Sequence, residues 1–215
     1  MNLSCKNGLP PVKLARRPKE EPQRYERPMG FMIWFTADTH FFHENIIDYG
    51  KRPFDSLEEM HESIIEKWNS LVKSGDIVYH LGDFALTGSK KDAPKVQKIL
   101  TRLHGNKWLI TGNHDREAVK VCRWQKVLAY HEIKIDLGGE YKQRIILCHY
   151  PLRSWNQMHR GAYMLHGHSH GNLNDIGGKS MDVGVDVHDY YPISLDEVVD
   201  YMSHRNKIIV DHHAD

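Results

Sequence analysis

Apolar residues in the first half of the chain form short continuous runs that alternate with longer amphipathic segments. The runs from Met32 to Ala37, Asp76 to Leu81 and Lys107 to Thr111 have the length and apolar density of buried strands. Helix-period patterns lie between them, from Leu57 to Val72 and from Lys95 to Leu103. This β-α-β-α-β order predicts a parallel sheet joined by right-handed crossovers.

The second half of the chain has a different pattern, in which strand-like runs follow one another with less helix between them. These runs are Val127 to Leu137, Tyr141 to Cys148, Ala162 to Leu165 and Met181 to Asp186. Gly138-Gly139 separates the first two runs, as is typical of a hairpin. Ser194 begins a last predicted helix that ends near Ser203. Together these patterns predict an α/β protein with two packed sheets and helices outside.

The N-terminal segment, residues 1–30, differs in composition from the rest of the chain. It contains five prolines and seven Lys or Arg against three Glu, and it has no periodic apolar face. Such a segment cannot bury enough apolar surface to fold by itself. We therefore predict a flexible, basic, proline-rich arm over 1–30 and one domain over 31–215.

Net charge and cysteine content limit the class of protein. The net charge of +1 gives no overall field that would favour nucleic acid or an anionic membrane. No apolar run approaches the ~18 residues of a membrane span. The three cysteines include no CxxC pair, which favours a reducing compartment. We expect a cytoplasmic protein with no membrane partner, and the sequence leaves its oligomeric state open.

Short polar clusters close the predicted strands. They are Asp38-Thr39-His40, Gly82-Asp83, Gly112-Asn113-His114-Asp115, His149 and Gly167-His168-Ser169-His170. In an open α/β sheet, ligands and catalytic groups gather at the carboxyl ends of the strands. Each cluster alone is weak evidence, and a lone histidine on an apolar strand is more often a core residue. Five clusters in succession at strand ends predict one shared site.

The residue types in these clusters suit a pair of divalent metal ions. Imidazole nitrogens and carboxylate oxygens bind first-row transition ions, and two ions about 3.5–4 Å apart need a shared anionic ligand. Asp83 is central among the clusters and can serve as that ligand. The i, i+2 spacing of Asp38 and His40 allows both to reach one ion, and His168 and His170 can divide between two.

In this order the five clusters resemble the signature of the calcineurin-like metallophosphoesterases, specifically the small single-domain bacterial or phage type, over about residues 32 to 190. The resemblance implies a four-layer α-β-β-α sandwich of two mixed sheets flanked by helices. It implies one metal site formed by Asp38, His40, Asp83 and His170, and a second formed by Asp83, Asn113, His149 and His168. The implied cofactors are two divalent ions, Mn²⁺ first, with Fe, Zn, Ni or Co left open by the ligand set.

The expected chemistry is in-line attack on phosphorus by a hydroxide that bridges the two ions. His114 is assigned to neither ion and is the expected proton donor to the leaving group. The protein-phosphatase branch of the family carries an aspartate where this chain has Leu86, so a protein phosphatase is not expected. Asp115 is then the candidate to orient His114. His43 and Arg153 are candidate substrate contacts, and a structural or solvated role is the alternative for each.

The sequence therefore predicts a metal-dependent phosphoesterase, acting on monoesters or diesters. Small nucleotide-like substrates are favoured because no large cap domain is present. Two alternatives remain at this point. A nuclease acting on nucleic-acid ends is supported only by the basic arm, because the rest of the chain is close to neutral. A non-catalytic interaction scaffold is the other, although such a protein should have lost ligands that this chain retains.

Overall fold

The structure, a computed structural model, describes residues 30–174 and 177–208. The predicted arm falls almost entirely on residues 1–29, outside the described residues, so the arm and the domain boundary stay predictions. The elements are β1 (Ile33–Thr36), α1 (Ile46–Tyr49), α2 (Leu57–Leu71), β2 (Ile77–His80), α3 (Ala93–Arg102), β3 (Asn106–Ile110), α4 (Glu117–Lys120), β4 (Val127–Leu128), β5 (Tyr130–Ile135), β6 (Gln143–Cys148), β7 (Tyr163–His166), β8 (Ser180–Asp182), β9 (Ile193–Ser194) and α5 (Leu195–Ser203). One-turn 3₁₀ helices cover Lys90–Asp92, Met158–Arg160 and Val185–Val187.

The strands form two mixed sheets, as predicted. The first has the order β4-β3-β2-β1-β9, with β9 antiparallel to β1 and the other neighbours parallel. The second has the order β5-β6-β7-β8, in which only the β5-β6 pair is antiparallel. The β5-β6 pair is the hairpin predicted around Gly138-Gly139.

The two sheets pack face to face, and alternate residues of each strand point into the space between them. Phe35 and Tyr79 of the first sheet share this inner core with Leu147 and Leu165 of the second. Residues of α5 fill the same core. The opposite face of the first sheet packs against α2 and α3, which bury Trp68 and other apolar side chains. The outer face of the second sheet is covered by the segment around the 3₁₀ turn at Met158–Arg160.

Serine side chains cap the starts of two helices, α2 and α5. The Ser56 hydroxyl accepts the N–H of Glu59 at 3.1 Å at the start of α2. Ser194 and Glu197 form a reciprocal capping box at the start of α5. Each such cap satisfies N–H groups that lack partners within the first helical turn. None of the helices among residues 30–174 and 177–208 combines the length and apolar character needed to cross a membrane, and the cytoplasmic location stays a prediction.

Two predicted strands are wrong in detail. The run from Val127 to Leu137 is divided between the sheets, because β4 pairs with β3 and β5 pairs with β6. The alternating run from Met181 to Asp186 is a strand only as far as Asp182, after which the chain turns into a 3₁₀ helix. That turn brings Gly184 beside Ala37 and Asp186 towards the site described below. In both runs the local pattern was strand-like, and long-range pairing decided where each strand ended.

Candidate metal centre

The polar clusters predicted from the sequence lie at one rim of the molecule. Asp38, Asp83 and Asn113 follow the ends of β1, β2 and β3 in the first sheet. His149 follows β6 and His168 follows β7 in the second sheet. Because these strands are parallel neighbours within each sheet, their carboxyl ends open on the same side. The sandwich therefore brings residues from five loops together.

Two groups of potential ligand atoms form at this rim. One contains Asp38, His40 and His170, and the other contains Asp83, His149 and His168. Within each group the ligand atoms lie within 4.8 Å of one another. Asn113 adjoins the second group, because its Oδ1 lies 3.1 Å from Nε2 of His149.

The Asp83 carboxylate lies between the two groups. Its Oδ2 is 3.5 Å from Nε2 of His149 in its own group and 3.7 Å from Nε2 of His40 in the other. Its Oδ1 accepts the main-chain N–H of His114 at 2.8 Å, which holds the carboxylate in place. One oxygen is thus free of hydrogen bonds from the main chain and lies where a shared ligand would have to lie.

Three of the histidines keep Nε2 directed into the site because Nδ1 has a partner outside it. Nδ1 of His149 lies 2.8 Å from the main-chain oxygen of Leu81. Nδ1 of His170 lies 2.7 Å from Oδ2 of Asp186. In both cases an oxygen acceptor requires Nδ1 to carry a proton, so that the neutral ring has its lone pair on Nε2.

His40 follows the same rule with a different partner. Its Nδ1 lies 3.1 Å from Nδ1 of His43, so one of these two nitrogens donates to the other. With Nε2 of His40 as the ligand atom, the neutral ring carries its proton on Nδ1 and donates it to His43. His43 therefore contacts a candidate ligand, and its predicted contact with substrate stays a prediction.

The backbone around the ligands is strained. Five of the candidate ligands have positive φ, namely Asp38 (58°), His40 (51°), Asp83 (54°), His168 (69°) and His170 (48°). Positive φ is uncommon outside glycine, and such strained conformations cost of order 1–3 kcal/mol each. Strain of this kind persists where the surrounding structure over-determines the conformation, and it is concentrated here at the candidate ligands.

Two glycines allow the loops to approach the carboxylates. A Cβ on Gly112 would lie 2.2 Å from Oδ1 of Asp83, and a Cβ on Gly167 would lie 2.6 Å from Oδ2 of Asp38. Either distance is far inside van der Waals contact. The glycines that open the GNHD and GHSH clusters are therefore required by the close approach of the main chain to ligand oxygens.

The residues present fit divalent metal ions. Nε2 of His40 is buried and has no hydrogen-bond partner among the residues that the structure describes. Burial and the nearby charge of Arg52 lower the pKa of His40, and burial lowers that of His149, so both rings are neutral and able to coordinate. Burial raises the pKa of Asp38 above its usual range, although His170 opposes the shift. Crowded, buried carboxylates beside neutral imidazoles form a site that a cation would stabilise.

His114 lies at the edge of the site and belongs to neither group. Its Nε2 is 3.9 Å from Oδ2 of Asp83, and its ring centre is 5.2 Å from that of His40. The side chain is 36% exposed, in contrast to the buried ring of His40. The ring can therefore reach both the cluster and solvent, as a proton donor must.

Asp115 is buried and contacts two of the ligand loops. Its Oδ2 accepts the N–H groups of Asp83 and Gly112, and its Oδ1 accepts that of Phe84, each at 2.9 Å. Burial raises its pKa to about 7, against the effect of these N–H groups. No hydrogen bond joins it to the ring of His114 in the described part of the chain. This carboxylate holds the backbone of two ligand loops, and the expectation that it also orients His114 stays a prediction.

Arg153 is exposed on the loop after His149. Within residues 30–174 and 177–208, no hydrogen bond or ion pair connects it to the ligand groups. Its predicted contact with substrate stays a prediction. Tyr150 is closer to the site, because its ring centre lies 4.7 Å from that of His168.

Sequence reasoning missed three residues that surround the ligands. Arg52 is buried and donates to the main-chain oxygens of Asp38 and Thr39. Asp182 accepts the hydroxyl of Ser169 and the N–H of Gly171, which fixes the GHSH loop. Asp186 accepts His170. No spacing signal marked any of them, since each lies 11 to 16 positions from the residues that it holds, outside any local motif.

Comparison with known proteins agrees with this geometry. The calcineurin-like phosphoesterase family matches residues 31–215. An uncharacterised protein of Methanocaldococcus jannaschii is 38% identical over 173 residues, 78% of this chain and 89% of that protein. The gene 66 protein of mycobacteriophage L5 is 27% identical over 197 residues, 80% of this chain and 94% of that protein.

A solved structure is also similar. The crystal structure of a protein of unknown function from Aquifex aeolicus matches with a TM-score of 0.61 and 26% identity, covering 79% of this chain and 98% of that one. The family match extends over the whole two-sheet domain and all seven candidate ligands. This chain belongs to the calcineurin-like phosphoesterase family. The family and the Asp/His groups support a metal-dependent phosphoesterase in general terms.

Proposed function

We propose that this protein hydrolyses phosphoester bonds of small, nucleotide-like substrates at a centre of two divalent metal ions. The first ion would be held by Asp38, His40, Asp83 and His170, and the second by Asp83, Asn113, His149 and His168. The observation that carries the proposal is the position of Oδ2 of Asp83 between the two groups, 3.7 Å and 3.5 Å from a histidine of each. When bound, such ions supply Lewis acidity and make water more acidic at neutral pH.

The protein's own residues provide orientation and a proton. Asp83 and Asp38 are held by main-chain N–H groups of His114 and His168, which fix the carboxylates before any substrate arrives. His114 then donates a proton to the leaving oxygen from its partly exposed ring. Because these carboxylates are already held in place, they do not have to be reoriented during the reaction.

The entrance to the site supports a substrate with a flat, apolar part. The Tyr150 ring is 45% exposed and packs edge-on against His149 and His168, with ring centres 5.0 Å and 4.7 Å away. An exposed aromatic ring beside a phosphate-binding centre can stack a base or an aryl group. This position favours nucleotide-like esters over simple alkyl phosphates.

Hydrolysis by metal-stripped protein tests the proposal. The protein is re-supplied with Mn²⁺, or with Fe, Co, Ni or Zn ions, and assayed on an aryl phosphodiester and an aryl phosphomonoester. Asp83→Asn removes the shared anionic ligand, and Asp136→Asn on the exposed hairpin is the matched control. We expect turnover that depends on metal, survives in the control and disappears in Asp83→Asn. Absence of turnover with all five metals, in protein that binds two ions, would contradict the catalytic proposal.

A second candidate, action on nucleic-acid ends, is favoured by one feature. Five exposed basic side chains lie on the segments next to the site: Lys90, Lys91, Lys95, Arg116 and Lys120. Lys95 lies over the ring of Phe42, and Arg116 contacts the oxygen of Thr87, so these segments border the loops that carry His43 and Asp83. A local basic surface of this kind suits a polyanion even when the whole chain is nearly neutral.

Binding of a single-stranded oligonucleotide to Asp83→Asn protein separates the two candidates. If nucleic acid is the substrate, affinity should fall steeply with salt, and Lys91→Gln with Lys95→Gln should reduce the slope by about 0.7 unit per lost phosphate contact with the single strand. Lys134→Gln, on an exposed position of β5 in the other sheet, is the control. Binding that is weak and unaffected by these substitutions would leave the small-substrate proposal alone.

A further inference from the structure

A buried arginine lies beneath one of the two groups of candidate ligands. The side chain of Arg52 has no exposed surface, although it lies in a short loop between α1 and α2. A buried guanidinium is costly unless its donors are paired. The groups that accept hydrogen bonds from Arg52 therefore indicate its structural role.

Two of those partners are main-chain oxygens in the loop after β1. Nη2 of Arg52 donates to Asp38 at 2.7 Å, and Nη1 donates to Thr39 at 3.1 Å. This loop contains the strained φ angles of Asp38 and His40. Arg52 thus holds the turn from which two candidate ligands project.

Besides a weak contact from Nη1 to Sδ of Met60 at 3.4 Å, the remaining partner is the carboxylate of Asp186, which reaches a further candidate ligand. Nε and Nη2 of Arg52 donate to its two oxygens, each at 2.9 Å, in a bidentate pair between residues 134 positions apart. Oδ2 of Asp186 also accepts Nδ1–H of His170 at 2.7 Å. This contact sets the tautomer of His170 and directs its Nε2 into the site.

We infer that Arg52 and Asp186 are positioning residues for one metal site, the one that Asp38, His40 and His170 form together with the shared Asp83; this inference rests on the proposed function. Arg52 contacts the turn that carries Asp38 and His40, and through Asp186 it fixes the third ligand, His170. A single rigid guanidinium fork therefore connects the three ligands of that site other than the shared Asp83.

The other group is held by different contacts. His149 is oriented by the main-chain oxygen of Leu81, and Asp83 by the N–H of His114. In the described part of the chain, neither Arg52 nor Asp186 makes a hydrogen bond to Asp83, His149 or His168. Loss of the pair should therefore weaken one site and spare the other, which a general loss of folding would not do.

This inference is tested by calorimetric titration of the metal-free protein with Mn²⁺ alone, a measurement that does not rely on turnover. Arg52→Lys keeps the charge but cannot bond both oxygens of Asp186 and two carbonyls at once. Asp186→Asn removes the charge and leaves one oxygen for three donors, namely Nε and Nη2 of Arg52 and Nδ1 of His170. The double variant Arg52→Gln with Asp186→Asn removes both charges, so that no buried charge is left unpaired.

Arg102→Lys is the matched control. Arg102 forms a bidentate pair with Glu62 on the exposed surface, between α3 and α2 and away from the ligand loops. Its substitution removes the same kind of fork from a place where no ligand depends on it. Circular dichroism and urea unfolding establish that each variant is folded.

The expected result is two Mn²⁺ ions per wild-type and Arg102→Lys chain, and one site weakened by about 10- to 100-fold in each variant of the pair. The second site should keep its affinity. Equal weakening of both sites, unchanged binding, or loss of folding in all three variants would overturn the inference. If the wild-type protein itself binds fewer than two ions, the proposed function fails, and that outcome is distinct from failure of the positioning role alone.

Discussion

The main-chain N–H of Asp83 donates to Oδ2 of Asp115 at 2.9 Å, across a separation of 32 residues in the sequence. The same carboxylate accepts the N–H groups of Phe84 and Gly112. The loop after β2 and the loop after β3 are thus held together by one buried side chain. The distance between Asp83 and Asn113 depends on this connection.

Asp115→Asn should destabilise the protein. The asparagine has one acceptor oxygen where three N–H groups need partners, and an unsatisfied buried N–H costs about 1–3 kcal/mol. The measurement is the free energy of unfolding in urea, with exposed Asp136→Asn as the control. A variant with wild-type stability that loses only turnover would show instead that Asp115 acts on His114.

Gly112→Ala should impair metal binding. The new Cβ would lie 2.2 Å from Oδ1 and 2.5 Å from the main-chain nitrogen of Asp83, so the ligand carboxylate must move. We expect Mn²⁺ affinity to fall by about 10-fold or more, measured by calorimetry. Gly75→Ala is the control, because a Cβ at that position meets nothing within 4 Å. Unchanged affinity in Gly112→Ala would mean that Asp83 is not a ligand in the position described.

His114→Gln should reduce turnover without removing metal. Loss of a general acid lowers kcat by about 10²- to 10⁴-fold, and the loss should be greatest for an alkyl leaving group, which needs the proton most. A nitrophenyl ester should be affected much less. The measurements are kcat for both esters and Mn²⁺ content, with His204→Gln on the exposed end of α5 as the control. Equal losses for both esters, accompanied by loss of an ion, would place the ring in the metal site.

His80 should make the stability of the metal-free protein depend on pH. Its Nε2 lies 3.0 Å from the Thr39 hydroxyl, which itself donates to Phe84, so Nε2 carries the proton. Nδ1 is unprotonated and has no hydrogen-bond partner within residues 30–174 and 177–208. Burial lowers the pKa of His80 from 6.5 to about 3. The unfolded chain therefore takes up a proton that the folded protein does not take up.

The direction of the pH dependence of stability follows from this difference in pKa between the folded and the unfolded chain. The stabilisation by neutral His80 is complete above pH 6.5 and is lost as pH falls towards 3, at up to about 1.4 kcal/mol per pH unit. His80→Gln keeps a donor for Thr39 but cannot titrate. Urea unfolding between about pH 4.5 and 7.5 should show a shallower slope for this variant than for the wild type. Identical slopes would mean that His80 is already protonated in the folded protein.

The amino-acid sequence by itself determined the two-sheet fold and most of the candidate site. Buried strands are marked by apolar runs of six residues or fewer, which can be recognised in the sequence. The carboxyl ends of parallel strands lie at the same edge of the sheet. Asp38, Asp83 and Asn113 were thus placed by strand order alone, and His149 and His168 followed from the second sheet. Each of these residues sits next to the local pattern that predicts its strand.

The tertiary structure decided what depends on contacts between distant segments. The run from Val127 to Leu137 is divided between two sheets because pairing with β3 competes with pairing with β6, and the local pattern is the same for both. The two-residue strand β9 forms only through its antiparallel pairing with β1. Likewise, Arg52 and Asp186 stand 134 positions apart, and neither has a neighbour in sequence that marks its role. Side-chain periodicity encodes which face of an element is buried, whereas the partner of a buried charge is set only when the chain has folded around it.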